Sequence, residues 1–146
     1  MSVKKAFAIG CSSLFIFIII GILFLGWAMF GDHSKHVVNA PSHRLAPTQA
    51  IGIEYFENPN IAGIVSVTYS ISHNDFRQFA DQMGWTLTEK HDLTFINTPS
   101  AFADRNLAPL SLNYCLFYED RHPNGGGITV VYVPQSSRAY INTSNR

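Results

Sequence analysis

The sequence predicts an α+β protein in which one N-terminal transmembrane helix precedes a small domain. In that domain one main helix packs on a mostly antiparallel sheet that ends in a three-stranded meander. Three observations lead to this prediction. Residues Ala6 to Phe30 include no charged side chain. Farther along, a helical stripe of apolar residues interrupts a series of β-rich runs, and two turn clusters separate the last three runs.

The uncharged run Ala6–Phe30 predicts a transmembrane signal-anchor helix whose partner is the lipid bilayer. Its 25 residues would extend about 37 Å as a helix, which exceeds the roughly 30 Å hydrocarbon core. A cleaved signal peptide is the alternative, because Lys4 and Lys5 precede the run and Gly26–Ala28 offers small residues for cleavage. The apolar stretch of a signal peptide is only about 7–15 residues, however, so an uncleaved anchor is expected.

The charges that flank this run predict its orientation. Two lysines lie within residues 1–5, next to the amino terminus, whereas Lys35 and Arg44 on the other side are more dispersed. The positive-inside rule then predicts a single-pass cell-membrane protein with a cytoplasmic N-terminus and an extracytoplasmic domain. Ala6 and Gly10 form a small-xxx-small pair, which would allow two such helices to meet in a homodimer.

Residues 31–49 predict a linker, because they hold no sustained period and are rich in proline, serine and asparagine. Residues 50–146 are assigned to the domain. From residue 45 onward, six Lys and Arg stand against nine Asp and Glu, with no basic cluster. This charge distribution predicts that nucleic acid is not a partner, because phosphate neutralisation needs a concentrated basic face.

The first half of the domain predicts two strands and a helix. The strands are Ile51–Glu57 and Ala62–Ser70, and in the second polar and apolar residues alternate, as in a strand with one buried face. The helix, Ser72–Gly84, has a serine and an aspartate at capping-box spacing and a glycine at its end. Its apolar stripe recurs at i, i+3, i+4 and i+7, and comprises Phe76, Phe79, Ala80 and Met83.

The second half predicts mostly strands. Two short ones come first, and a short helix from Thr98 to Asn106 follows, with proline at its first position. Residues 124–127 and 134–137 are hairpin signals that separate the closing strands. The predicted strands are Trp85–Glu89, Asp92–Asn97, Ser111–Asp120, Gly127–Val133 and Ala139–Asn142.

The densest polar run, Glu119–His122, lies at a strand end beside Gly125–Gly127. An acid, a base and a mobile backbone together could form a catalytic or anion-binding corner, although turn geometry alone also explains the glycines. Strand-end loops on a rigid sheet are where binding sites tend to lie. The predicted ligand- or partner-binding site therefore comprises Tyr118, Asp120, Arg121, His122, Gly126 and Tyr140.

Other chemical groups predict no site. Cys115 lies mid-strand without a nucleophile motif, so it is interpreted as a core residue. His33 and His36 have a spacing that can share a metal ion, but their segment is interpreted as a flexible linker. Six tyrosines fall in β runs, where packing explains them better than partner recognition. No catalytic residue, metal site or cofactor is predicted.

These observations favour a membrane-anchored protein whose α+β domain binds a protein or a ligand without catalysis. One alternative is a small membrane-tethered hydrolase that uses the Glu119–His122 corner. Another is an inhibitor or immunity-type protein that acts at the membrane. A deep pocket beside His122 would favour the hydrolase, whereas a flat tyrosine-rich face or an open edge strand would favour the binding protein.

Overall fold

A seven-stranded antiparallel sheet forms the domain in the computed structural model, which describes residues 16–27, 31, 33–59, 63–104, 106–123 and 125–145. The strand order in the sheet is β1-β2-β3-β7-β6-β5-β4, so β1 and β4 are its edges. The strands are β1 (Lys35–Ala40), β2 (Ile51–Asn58), β3 (Ile64–Ser70), β4 (Thr88–Phe95), β5 (Leu110–Arg121), β6 (Gly127–Val133) and β7 (Arg138–Ser144). The helices are α1 (16–27), α2 (His73–Gln82) and α3 (Pro99–Ala103), and a 3-10 turn covers Pro134–Ser136.

Helix α1 covers residues 16–27 among those that the structure describes. Within the described residues no helix is both long and apolar enough to cross a membrane. The predicted transmembrane helix over Ala6–Phe30 is therefore wrong. The fold class that included it, the signal-anchor topology, the cytoplasmic N-terminus and the extracytoplasmic location are wrong with it. The small-residue pair Ala6 and Gly10 lies outside the described residues.

The second compact unit of the chain begins at His33, whereas the sequence placed the start of the domain at residue 50. Strand β1 accounts for much of the difference, because it occupies part of the predicted linker and pairs with β2. The pairing is irregular between Val37 and Ala40, and Asn39 has a positive φ of 57°. A short, exposed and irregular strand has little periodicity to detect, so only its pairing with β2 reveals it.

Helix α2 forms as its sequence predicts. The Ser72 hydroxyl accepts a hydrogen bond from the Asp75 amide at 3.2 Å and lies 2.5 Å from the Asp75 carboxylate. The helix ends before Gly84, whose φ is 73°. Phe76 and Ala80 are fully buried, whereas Met83, the last residue of the predicted stripe, is 44% exposed. The stripe therefore packs through its centre and not through its C-terminal end.

The second half of the domain departs from the prediction at β4 and at α3. The two short strands predicted between Trp85 and Asn97 are a single edge strand, β4, which pairs with β5 along its length. Helix α3 is capped by Thr98, whose hydroxyl accepts a hydrogen bond from the Ala101 amide at 3.1 Å, and it is shorter than predicted. Strands β5, β6 and β7 form the predicted antiparallel meander.

Each face of the sheet carries one helix. On the first, here the α2 face, Phe76 packs on Tyr132 and the large core cluster around Tyr69. On the second, here the α3 face, Phe102 of α3 stacks on Phe56 with ring centroids 5.4 Å apart. A smaller apolar cluster of β5 and β6 residues lies on this α3 face as well.

The side chains that β3 directs to the α3 face are polar, and yet they are buried. Ser66 and Thr68 are 1% and 2% exposed, although their alternation with apolar residues predicted a solvent-facing side. The Ser66 hydroxyl donates to the Asn97 carbonyl at 3.0 Å, and the Thr68 hydroxyl donates to the Ala139 carbonyl at 2.9 Å. The segment that carries Asn97 and α3 therefore forms a polar interface with the sheet.

Candidate functional site

The turn between β5 and β6 is built around glycine. The His122 amide donates to the Gly126 carbonyl at 2.8 Å, and the Gly125 amide donates to the His122 carbonyl at 2.9 Å. Gly127 has a φ of 148°, and a Cβ at this position would lie 2.2 Å from the Asp120 carbonyl oxygen. Only a residue without a side chain therefore lets β6 begin this close to β5.

The predicted site residues divide between the two faces of the sheet. Tyr118 packs with the α2-face core and stacks on Trp85, with ring centroids 6.2 Å apart. Asp120 follows two residues later and shares that face by strand alternation. Arg121 lies on the α3 face, beside Glu119. The sequence predicted that Glu119 and Asp120 lie in one corner, whereas the strand directs their carboxylates to opposite faces of the sheet.

Tyr140 and His122 also lie away from any common site. Tyr140 is on the α3 face, where its ring centroid is 5.7 Å from that of Phe95. It packs against the smaller apolar cluster, and burial raises its pKa. His122 is exposed in the turn beyond the end of β5. Of the six predicted residues, the structure brings Arg121 and Gly126 to one cavity.

That cavity, here the hairpin cavity, opens on the α3 face at the β5–β6 turn and has a volume of about 340 Å³. Its apolar wall includes Ile64, and its rim includes the turn glycines. The residues that matter for its chemistry are Asn97, Phe102, Arg121, Gly126, Thr129 and Asn142. The cavity therefore combines two carboxamides, a hydroxyl, a guanidinium and an aromatic ring.

Asn142 is the unusual residue in this wall. It is 9% exposed, and neither its side-chain nitrogen nor its side-chain oxygen has a hydrogen-bond partner. Ser66 and Thr129 lie opposite it in the register on either side. The Ser66 hydroxyl donates to the Asn97 carbonyl, and the Thr129 hydroxyl lies 3.4 Å from a Glu119 carboxylate oxygen. Both neighbours are thus engaged elsewhere. A buried polar group without a partner costs about 1–3 kcal/mol, so its presence calls for an explanation.

Arg121 and Glu119 form an ion pair at the mouth of the cavity. The guanidinium Nε and one terminal nitrogen each lie 2.8 Å from the same carboxylate oxygen. The Arg121 side chain is 77% exposed, so solvent screens the pair and its contribution to stability is small. The pair leaves the cavity without net charge, because Arg121 is the one charged residue in the described wall and Glu119 is its counter-ion.

A second polar cluster holds α3 against the sheet. Glu54 of β2 accepts a hydrogen bond from the Ser100 hydroxyl and contacts His36 of β1 at 2.9 Å. Arg138 of β7 lies 4.0 Å from the other Glu54 oxygen and donates to the Thr68 hydroxyl at 3.0 Å. Together with the Ser66–Asn97 bond, this cluster ties to the sheet the segment that contributes Asn97 and Phe102 to the cavity wall.

The remaining chemical groups do not assemble elsewhere. Cys115 is fully buried, and burial raises the pKa of its thiol. His36 contacts Glu54, and His43 contacts Glu57 at 3.3 Å. Across the described ranges, no three His, Cys, Asp or Glu side chains come close enough to hold a metal ion.

Sequence reasoning missed Asn142, Thr129, Asn97 and Phe102. Asn142 and Thr129 occupy strand positions where a polar residue normally indicates solvent, so the alternation concealed them. One signal was available: β7 is the middle strand of the seven, where a polar side chain on a covered face needs a partner. The strand order, however, is not readable from the local pattern.

Comparisons of the chain with protein-family models, with curated proteins and with solved structures find no match.

Proposed function

We propose that this chain is a binding protein and that its α+β domain holds a small polar ligand in the hairpin cavity without catalysis. The observation that carries the proposal is the buried Asn142 carboxamide, whose donor and acceptor have no partner. A ligand that supplied both partners would remove the cost of burying them. Concave sites with a few convergent polar groups are the usual form of small-molecule sites, and about 340 Å³ is at the small end of their range.

The arrangement of acids and bases favours binding over hydrolysis. A hydrolase based on His122 needs Asp120 or Glu119 within hydrogen-bond reach of the imidazole. Glu119 is engaged by Arg121, and Asp120 lies on the face of the sheet opposite the hairpin cavity. His122 is exposed and is not among the cavity residues.

A small ligand is also favoured over a broad protein surface. The tyrosines that could have formed a flat recognition face are largely used in packing, because Tyr69 and Tyr132 are fully buried under α2. Apolar and polar residues instead meet in the concave region at the β5–β6 turn.

The test is thermal denaturation of the full chain against a panel of nucleosides, monosaccharides and amino acids. We expect at least one compound to raise the Tm, because a ligand that binds only the folded state stabilises it. Asn142→Leu should abolish that shift. Asn113→Leu is the matched control, because Asn113 is exposed on β5 and lies outside the cavity. A panel without any hit, or a shift that survives Asn142→Leu, would contradict the proposal.

A further inference from the structure

The chemistry of the hairpin cavity narrows the class of ligand. The Asn142 carboxamide offers one acceptor and one donor group side by side in a plane. Its natural complement is a ligand edge with an adjacent donor and acceptor, as in the amide or amidine edge of a nucleobase. Asparagine pairs with adenine in this bidentate way, through the amino group and the neighbouring ring nitrogen.

An aromatic ring stands in the same wall. Phe102 is partly exposed, and its other side is supported by Phe56, whose ring is nearly parallel to it at 14°. Ile64 adds apolar surface to the cavity. A supported ring beside a carboxamide suits a flat ligand, because aromatic side chains stack on any nucleobase.

The charge of the wall argues against a phosphate group. Arg121 is the one charged residue among the described cavity residues, and its guanidinium makes two 2.8 Å contacts with Glu119. A phosphate would have to compete with that carboxylate and would lie near its negative charge. Recognition of a phosphate normally uses unpaired guanidinium groups in a fork geometry.

We infer that the hairpin cavity binds a neutral planar heterocycle of the nucleobase or nucleoside class, with its hydrogen-bonding edge on Asn142 and its face against Phe102. This inference rests on the function proposed above. The Asn142 amide is covered in the structure, so the ligand reaches it when the segment with Asn97 and Phe102 moves outward. That segment holds a helix of five residues and is tied to the sheet by the Ser66–Asn97 and Ser100–Glu54 hydrogen bonds.

The experiment is titration calorimetry of the full chain with adenosine and uridine. Their edge-blocked analogues, N6,N6-dimethyladenosine and N3-methyluridine, lack the donor that Asn142 would read. We expect at least one parent nucleoside to bind and its methylated analogue to bind at least about tenfold more weakly. The matching 5′-monophosphate should bind no more tightly than the nucleoside.

Three variants complete the test. Asn142→Leu should weaken nucleoside binding at least about tenfold, while its Tm equals or exceeds that of the parent chain, which separates loss of binding from loss of folding. Phe102→Leu should weaken the parent nucleoside and its methylated analogue by similar factors, because it removes stacking and leaves the edge contact. Asn113→Leu should leave the binding of both the parent nucleoside and its methylated analogue unchanged.

The possible results separate this inference from the proposed function. If glucose binds in an Asn142-dependent manner and both nucleosides fail, the ligand class is wrong and the binding function stands. If a monophosphate binds more than about tenfold more tightly than its nucleoside, the neutral class is wrong, since such a gain needs a charge contact. If no nucleoside, sugar or amino acid binds, the ligand class and the proposed function fail together.

Discussion

Phe76 of α2 stacks on Tyr132 of β6, with ring centroids 4.4 Å apart and planes that differ by 10°. Both side chains are fully buried. The Tyr132 hydroxyl donates to the Ile71 carbonyl at 3.2 Å, just before the helix begins. One tyrosine thus supports the helix through its ring and through its hydroxyl, and this contact fixes where α2 lies on the sheet.

Removal of the Phe76 ring should destabilise the domain substantially. Phe76→Ala leaves a cavity against Tyr132, and deletions of buried aromatic rings cost about 3–5 kcal/mol. Met83→Ala at the end of the same helix is the control, because that side chain is 44% exposed and should cost about 0.5 kcal/mol or less. Urea denaturation of the full chain measures both. Equal costs for the two variants would show that α2 does not pack through Phe76.

Gly127 should resist substitution more than other glycines with positive φ. An alanine Cβ at residue 127 would meet the Asp120 carbonyl oxygen at 2.2 Å, so the start of β6 must shift. Gly84 also has a positive φ of 73° but has no atom within 4 Å of a Cβ, so Gly84→Ala shows the backbone cost alone, about 1–2 kcal/mol. We expect Gly127→Ala to cost more than this control and to shift the amide resonances of Asp120 and Arg121. A cost equal to that of Gly84→Ala would refute the close approach.

His43 should make stability depend on pH. Its Nδ1 accepts a hydrogen bond from the Leu45 amide at 3.1 Å, which requires that nitrogen to be unprotonated. Burial lowers the pKa of His43 below its ordinary 6.5, against the raising effect of Glu57 and with a smaller lowering effect of Arg44. The unfolded chain then binds more protons than the folded chain between the two pKa values. Stability contributed by neutral His43 is therefore present above about pH 6.5 and is lost as pH falls through the folded pKa.

Two variants test whether the free energy of unfolding falls with falling pH because of His43. It is measured by urea denaturation over a series of pH values. His43→Gln should flatten the dependence of unfolding free energy on pH below about 6.5. Glu57→Gln should steepen it, because the carboxylate that favours protonated His43 is removed while burial remains. A slope that is unchanged in His43→Gln would place the pH dependence elsewhere.

Cys115 should be protected from alkylation while the domain is folded. The thiol is fully buried, and burial raises its pKa, which lowers the fraction of reactive thiolate. Iodoacetamide labelling, followed by peptide mass spectrometry to separate Cys115 from Cys11, should show slow modification that becomes fast in denaturant. Ser111→Cys, at an exposed position of the same strand, should be labelled rapidly in the folded chain. Equal rates at residues 111 and 115 would contradict the burial of Cys115.

Much of the domain follows from local sequence. The cap at Ser72, the apolar spacing from Phe76 to Ala80 and the glycine after the helix predict α2 because each acts within a few residues of the chain. The β5–β7 meander is predicted for the same reason, since its hairpins join neighbouring strands through short turns. These features require no knowledge of distant contacts.

Other features depend on more than the local pattern. Strand β1 shows no clear period, and its pairing partner β2 begins 11 residues after β1 ends. The apolar run near the N-terminus predicted a membrane helix from composition, whereas the described helix covers residues 16–27 and no described helix is both long and apolar enough to cross a membrane.

The candidate site depends on both levels. The sequence by itself determined that charged residues and glycines lie at the end of β5, which pointed to Arg121 and Gly126. Only the tertiary structure decided that Asn142 is buried and shares a cavity wall with Phe102. The physical reason is that alternation reports which residues share a face but not what covers that face. The sequence pattern therefore predicts that a polar strand residue is exposed, even where a distant part of the chain buries it.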